Sequence, residues 1–123
     1  MAKKKKKSMD ERIAEAIGEE PRVIYSAYKD YADDEEDEPI DNLDDVAVKG
    51  NVVLIGQADE FWGGKESKDY RSPVLKNPTW LEVAIHANEM IKTTLDEHHV
   101  FLEGLSVFKK EGKVTLYEFD MGS

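Results

Sequence analysis

The chain has 123 residues, no cysteine and a net charge of −10, from 17 basic and 27 acidic side chains. That length fits one ordinary domain, and the lack of cysteine excludes a disulfide framework, a thiolate nucleophile and a zinc–thiolate site. Leu, Ile, Val and Phe number 29 of the 123 residues, above the roughly 20% below which a highly charged chain stays disordered, so a folded core is expected.

The longest apolar run, Val52 to Ile55, falls far short of the roughly 20 residues of a membrane-spanning helix, and no apolar stretch follows the N-terminal lysines as a signal peptide requires. A cytoplasmic protein without a membrane partner is expected. The charge is unevenly placed. Lys3 to Lys7 are all basic, which leaves residues 8 to 123 with 12 basic against 27 acidic side chains, a net of −15. A body of that sign repels nucleic-acid phosphates and attracts basic partners. Residues 1–7 therefore read as a disordered basic tail, and residues 8–123 as a single α+β domain.

Ser8-Met9-Asp10-Glu11 fits a capping box, with Met9, Ile13, Ala16 and Ile17 at helical spacing behind it and Gly18 as a stop. A short helix is expected there, with a second N-terminal helix after Pro21. The stretch 21–32 is ambiguous, since Ile24, Ala27, Tyr28 and Tyr31 recur at helical spacing while Val23, Ile24 and Tyr25 favour strands; helix is the preferred reading. Asp30 to Asp45 holds ten acidic residues and no basic one, so a mobile acidic loop is expected over about 33–45.

Val46 to Ala58 reads as the first strand region, its run Val52 to Ile55 suited to a strand covered on both faces. Phe61 to Lys76, with Gly63-Gly64 and Pro73, reads as a long connection, where binding residues tend to sit. Thr79-x-x-Glu82 forms a second capping box, and Trp80, Val83, Ala84, Ala87, Met90, Ile91, Thr94 and Leu95 follow on one face. A long amphipathic helix over about 79–97 is predicted, packed on an antiparallel sheet. Beyond His98 the period changes to two, with a turn at Lys109 to Lys113, which predicts a C-terminal β-hairpin.

No triad, phosphate loop or EF-hand pattern is present, and no cofactor is expected. Glu82, His86 and Glu89 share an exposed helix stripe, the kind of face that metals use, yet no second matching helix completes a ligand set. His98 continues the apolar face and reads as a core or boundary residue, with His99 exposed. The acidic run Asp33, Asp34, Glu35, Glu36, Asp37 and Glu38 reads first as a solubilising loop and, in its functional alternative, as a docking surface for a basic protein, with weak calcium binding as the remaining option. Phe61 and Trp62 beside the glycine pair, with Tyr70 and Trp80, read as an interaction hot spot or a pocket wall, or equally as core at a strand end. The functional expectation is a non-enzymatic interaction or regulatory domain meeting a basic protein partner through these acidic and aromatic loops. The alternative is a small-ligand or metal-dependent enzyme with a cleft near Trp80 and His86, drawing on Glu82, His86, Glu89 and His98. Homodimerisation through an uncovered sheet face is compatible with either reading.

Overall fold

The computed structural model describes residues 8–28 and 41–123. The acidic run 33–38 and the lysine tail 1–7 lie outside the described residues.

Helix α1, Met9–Ile17, starts at the Ser8 capping box: the Ser8 hydroxyl accepts from the Glu11 amide at 3.1 Å, and the Glu11 carboxylate accepts from the Ser8 amide at 3.4 Å. It ends at Gly18 in a left-handed conformation, which costs glycine nothing because there is no Cβ to clash. Met9 and Ile13 are its buried residues. It is the one N-terminal helix among the described residues. After Pro21 the described residues up to Tyr28 do not form the expected second helix; the rest of that stretch, 29–32, lies outside the described residues. Ile24–Tyr25 forms a short strand, β1, parallel to the start of the hairpin, with Ile24 opposite Phe101 and Tyr25 opposite Leu102. The strand preference of the Val23-Ile24-Tyr25 triplet wins because an open partner strand is there to receive it.

Residues 41–45, the described end of the acidic stretch, are held in place. Arg12 reaches across to Asp41 at 2.6 Å and Asp44 at 2.7 Å, and Leu43 is fully buried. Strand β2 runs Asn51–Gly56, helix α2 is a single turn at Glu60–Gly63, and strands β3, Tyr70–Arg71, and β4, Leu75–Lys76, both pair antiparallel with β2. Helix α3, Trp80–Thr94, starts at the Thr79–Glu82 capping box and stops short of the expected residue 97. Strands β5, Phe101–Glu111, and β6, Val114–Gly122, form the C-terminal hairpin.

The sheet order is β1-β5-β6-β2-β3, with β4 also on β2. Its topology is mixed rather than antiparallel. Strand β2 lies parallel to β6, from Asn51 opposite Val114 to Ile55 opposite Glu118. That pairing follows from chain direction: α3 and β5 together return the chain so that β6 enters beside β2 in the same sense, as a crossover requires.

One face of the sheet packs under the helices. Val52 and Leu54 of β2, Leu102 of β5 and Phe119 of β6 meet Val83, Ala84, Ala87, Met90 and Ile91 of α3 and Ile13 of α1 in one buried cluster. Alternation then sends Val53 and Ile55 to the opposite face, where they bury with Leu116. Asn88 links helix to sheet from inside: it is 1% exposed, and its Oδ1 accepts from the Arg22 amide at 2.6 Å and the Val23 amide at 3.3 Å.

Candidate functional site

The chain leaves α3 through Leu95, whose φ of 61° is left-handed. This stops the helix although the apolar spacing runs through it. Asp96 then builds the exit turn. Its Oδ1 accepts from the amides of His98 at 3.0 Å and His99 at 3.2 Å, and its Oδ2 lies 2.8 Å from His99 Nδ1. Partial burial pushes the Asp96 carboxyl up, but the His99 ring and the two backbone amides outweigh it and hold the group below its ordinary value. In the tautomer where His99 Nδ1 donates to Asp96, the ring's Nε2 keeps its lone pair for another contact.

Helix α2 sits on this exit. Asp59 caps it, its carboxylate accepting from the Phe61 amide at 2.9 Å. Gly63 packs against the Thr94 carbonyl so closely that any Cβ there would overlap it. The Lys68 amide donates to the Thr93 carbonyl at 3.1 Å, satisfying one of the orphan acceptors that a helix leaves at its last turn. This seating places Trp62 on the histidines. The indole stacks on His98 with centroids 4.1 Å apart and 23° between planes, and meets His99 edge-on at 5.2 Å. Phe61 stands edge-on to Trp62 at 4.7 Å.

Below His99 lies a cleft of about 200 Å³. It forms because the β2–β6 ladder ends at Ile55 opposite Glu118 while β6 continues to Gly122, paired there with β5. Met90, Phe119 and Met121 supply apolar walls and Asp96 and His99 polar ones, while Ile55 and Glu118 border the cleft from strands on which alternation sends their side chains to the other face.

The residues singled out in the sequence fall into three places. Phe61, Trp62 and His98 come together here. His98 is exposed and His99 half-buried, the reverse of the expected order, because the turn at Leu95 breaks the helical phase before reaching them. Tyr70 and His86 pair elsewhere, between β3 and α3, with the Tyr70 hydroxyl 2.6 Å from His86 Nδ1. Burial, helped by the Glu89 charge, pushes the Tyr70 phenol up to about 12. Burial lowers His86, against the opposing pull of Glu82 and Glu89. Among the described residues no group of three or more His, Asp or Glu side chains could hold a metal. Trp80 packs edge-on against Tyr25 at 6.3 Å and borders a separate cavity with Glu103 and Asp120, whose wall does not include His86.

Sequence reasoning missed Asp96, His99 and Glu118 as one neighbourhood. The spacing Asp96-x-x-His99 was the available signal, since an aspartate often bonds to backbone two or three residues on in a turn. Glu118 carried none, because its place depends on where β2 parts from β6. No helix among the described residues is long and apolar enough to cross a membrane. No family model, curated protein or solved structure matches the chain.

Proposed function

We propose that the domain is a non-enzymatic interaction module that takes a basic segment of a protein partner at the Phe61–Trp62 platform. The observation that carries this reading is that Phe61 is 81% and Trp62 41% exposed although both stand on a helical turn seated against α3. Large aromatics left in water on a fixed mount are costly to keep and supply contact area with little ordering entropy, which is the character of interface hot spots. An indole face also attracts ammonium and guanidinium groups.

The surroundings favour the same partner. Residues 59–69 carry four acidic and two basic side chains, and the acidic run Asp33–Glu38 adds to the field of the body through its charge alone. The rival reading, an enzyme working from a cleft near Trp80 and His86, draws less support. His86 is engaged by Tyr70, and Trp80 borders a different cavity.

The test is a fluorescence-anisotropy titration of the whole chain with a labelled lysine- and arginine-rich peptide, at low and high salt. Binding should weaken with salt, and Phe61→Ser with Trp62→Ser should weaken it by about tenfold or more, as for truncated hot-spot residues. Equal affinity in the double variant, or association indifferent to salt, would sink the reading.

A further inference from the structure

We infer that the chain forms a two-fold dimer in which the β5 edges of two copies pair antiparallel about Ser106. The inference is independent of the Phe61–Trp62 platform and concerns a different edge of the molecule.

Backbone groups along a strand edge need partners, and a long open edge is a template for another chain. Strand β5 runs from Phe101 to Glu111, but β1 pairs with it only at Phe101 and Leu102. From Glu103 onward no strand among the described residues lies on that side. Past β1 the chain packs into the core at Ala27, and a hollow of about 340 Å³ opens beside Glu103, Gly104 and Leu105, walled by Ala27, Ala47, Val48 and Trp80. Farther along the same edge Val107 is 65% and Phe108 43% exposed. One stretch of the edge therefore offers a hollow, and the next offers apolar side chains to fill one.

The register follows from the direction of the side chains. An isologous antiparallel pairing needs a face pattern that reads the same both ways from its centre. Leu105 stands opposite Phe119 and Val107 opposite Tyr117, on the helix side, while Ser106 stands opposite Glu118 on the other face. Beyond them the two irregularities of β5, between Leu102 and Gly104 and between Val107 and Lys109, shift the alternation on either side of Ser106. Gly104, opposite Asp120, and Lys109, opposite Leu116, consequently share the face away from the helices. Glu103 reaches over Gly122 on that face, and Phe108 lines a hollow there with Lys109, Glu111 and Leu116. The pattern is symmetric about Ser106.

In this register Val107 of each copy stands opposite Leu105 of the other and enters the hollow beside it. Phe108 lies over Gly104 of the other copy. A Cβ at Gly104 would meet only Asp120 Oδ2, at 3.4 Å, so that face is clear for a ring, and an aromatic laid across a strand glycine restores the packing the glycine lacks. Lys109 faces Glu103, opposite in charge, as cross-strand neighbours prefer. Exposed ion pairs add little affinity, so these fix the register while Val107 and Phe108 bring the apolar area. A second copy fits better than an unrelated strand because one register satisfies face, size and charge together.

The experiment is sedimentation equilibrium of the whole chain over about 5–500 μM, the range suited to a modest interface. It compares wild type with Val107→Lys, Glu103→Lys, Lys109→Glu and the double exchange of Glu103→Lys with Lys109→Glu. All three positions are exposed, and each variant is first checked for a wild-type melting midpoint at high dilution. Wild type should pass from monomer to dimer mass, and Val107→Lys should stay monomeric. Each charge reversal alone should weaken self-association by about fivefold or more, and the double exchange should recover to within about threefold of wild type. A wild type that stays monomeric throughout overturns the inference, and so does a dimer that Val107→Lys leaves intact. A double exchange no better than either single reversal overturns the Ser106 register. The peptide titration reads the platform separately, so failure of one proposal is distinct from failure of the other.

Discussion

Gly63 packs against Thr94 with no room for a side chain, and this contact, beside the Lys68–Thr93 backbone bond, seats α2 on the last turn of α3. Replacing Gly63 by Ala must move either the turn or the helix end, because the obstacle is backbone and cannot rotate away. The Trp62–His98 stack hangs on that turn. Gly63→Ala is therefore expected to shift the Trp62 indole N–H resonance and the His98 ring protons, while the melting midpoint moves little, since no residue of α2 is buried. Unchanged resonances would show that the platform is held by something other than this seat.

Leu95 is the C-cap of α3 at φ 61°, and it is 37% exposed. A left-handed leucine costs about 1 kcal/mol or more in backbone strain, which the buried part of its side chain offsets. Leu95→Gly relieves that strain but gives up the buried contacts, so stability in urea unfolding is expected to stay within about 1 kcal/mol of wild type. A larger loss would mean that the leucine side chain contributes packing that outweighs the strain.

Much of the helical architecture could be read in the sequence because helix starts are local. Ser8 with Glu11 and Thr79 with Glu82 form the reciprocal bonds that their spacing implies, and the alternation after His99 gives the β5–β6 hairpin. Strand partners were not local. Ile24 and Tyr25 become strand only because β5, more than seventy residues later, offers an edge, and β2 becomes parallel to β6 through a crossover that no short window contains. The end of α3 was hidden for a different reason: the apolar period continues through Leu95, and a left-handed leucine leaves no compositional mark where a glycine would. The same break decided which histidine faces out, so the sequence pointed to His98 while the cleft belongs to His99.

Asn88 makes a prediction about the join between α3 and β1. Its carbonyl oxygen serves the Arg22 and Val23 amides, and Val23 is itself buried. Its amide nitrogen has no partner among the described residues. Asn88→Leu fills the same space but strips both donors of their acceptor, and should cost about 2–3 kcal/mol. Amide exchange at Val23 should rise in parallel. A variant of wild-type stability would mean that the unpartnered Asn88 nitrogen already cancels the benefit of its oxygen.

His86 sets a pH dependence. Burial lowers its pKa in the folded state relative to the unfolded value near 6.5, in spite of Glu82 and Glu89. Below that value the unfolded chain binds a proton that the folded one resists. The contribution is therefore complete above about 6.5 and is lost as pH falls through the folded value. Thermal midpoints measured between about pH 7.5 and 5 should fall more steeply for wild type than for His86→Gln, which removes the titrating group. Parallel curves would place the acid sensitivity elsewhere. The depressed carboxyl of Asp96 acts lower still, in the carboxylate range.

Under the proposed function, a basic partner lands at the end of α3. The direct measurement is an amide chemical-shift map of the whole protein as a lysine-rich peptide is added. Shifts should concentrate on Gln57, on Phe61 to Gly63 and on Asp96 to His99, and should saturate together with one affinity. Shifts spread evenly over the acidic surface, or gathered on α1 and residues 41–45 with the α3 exit unmoved, would contradict it.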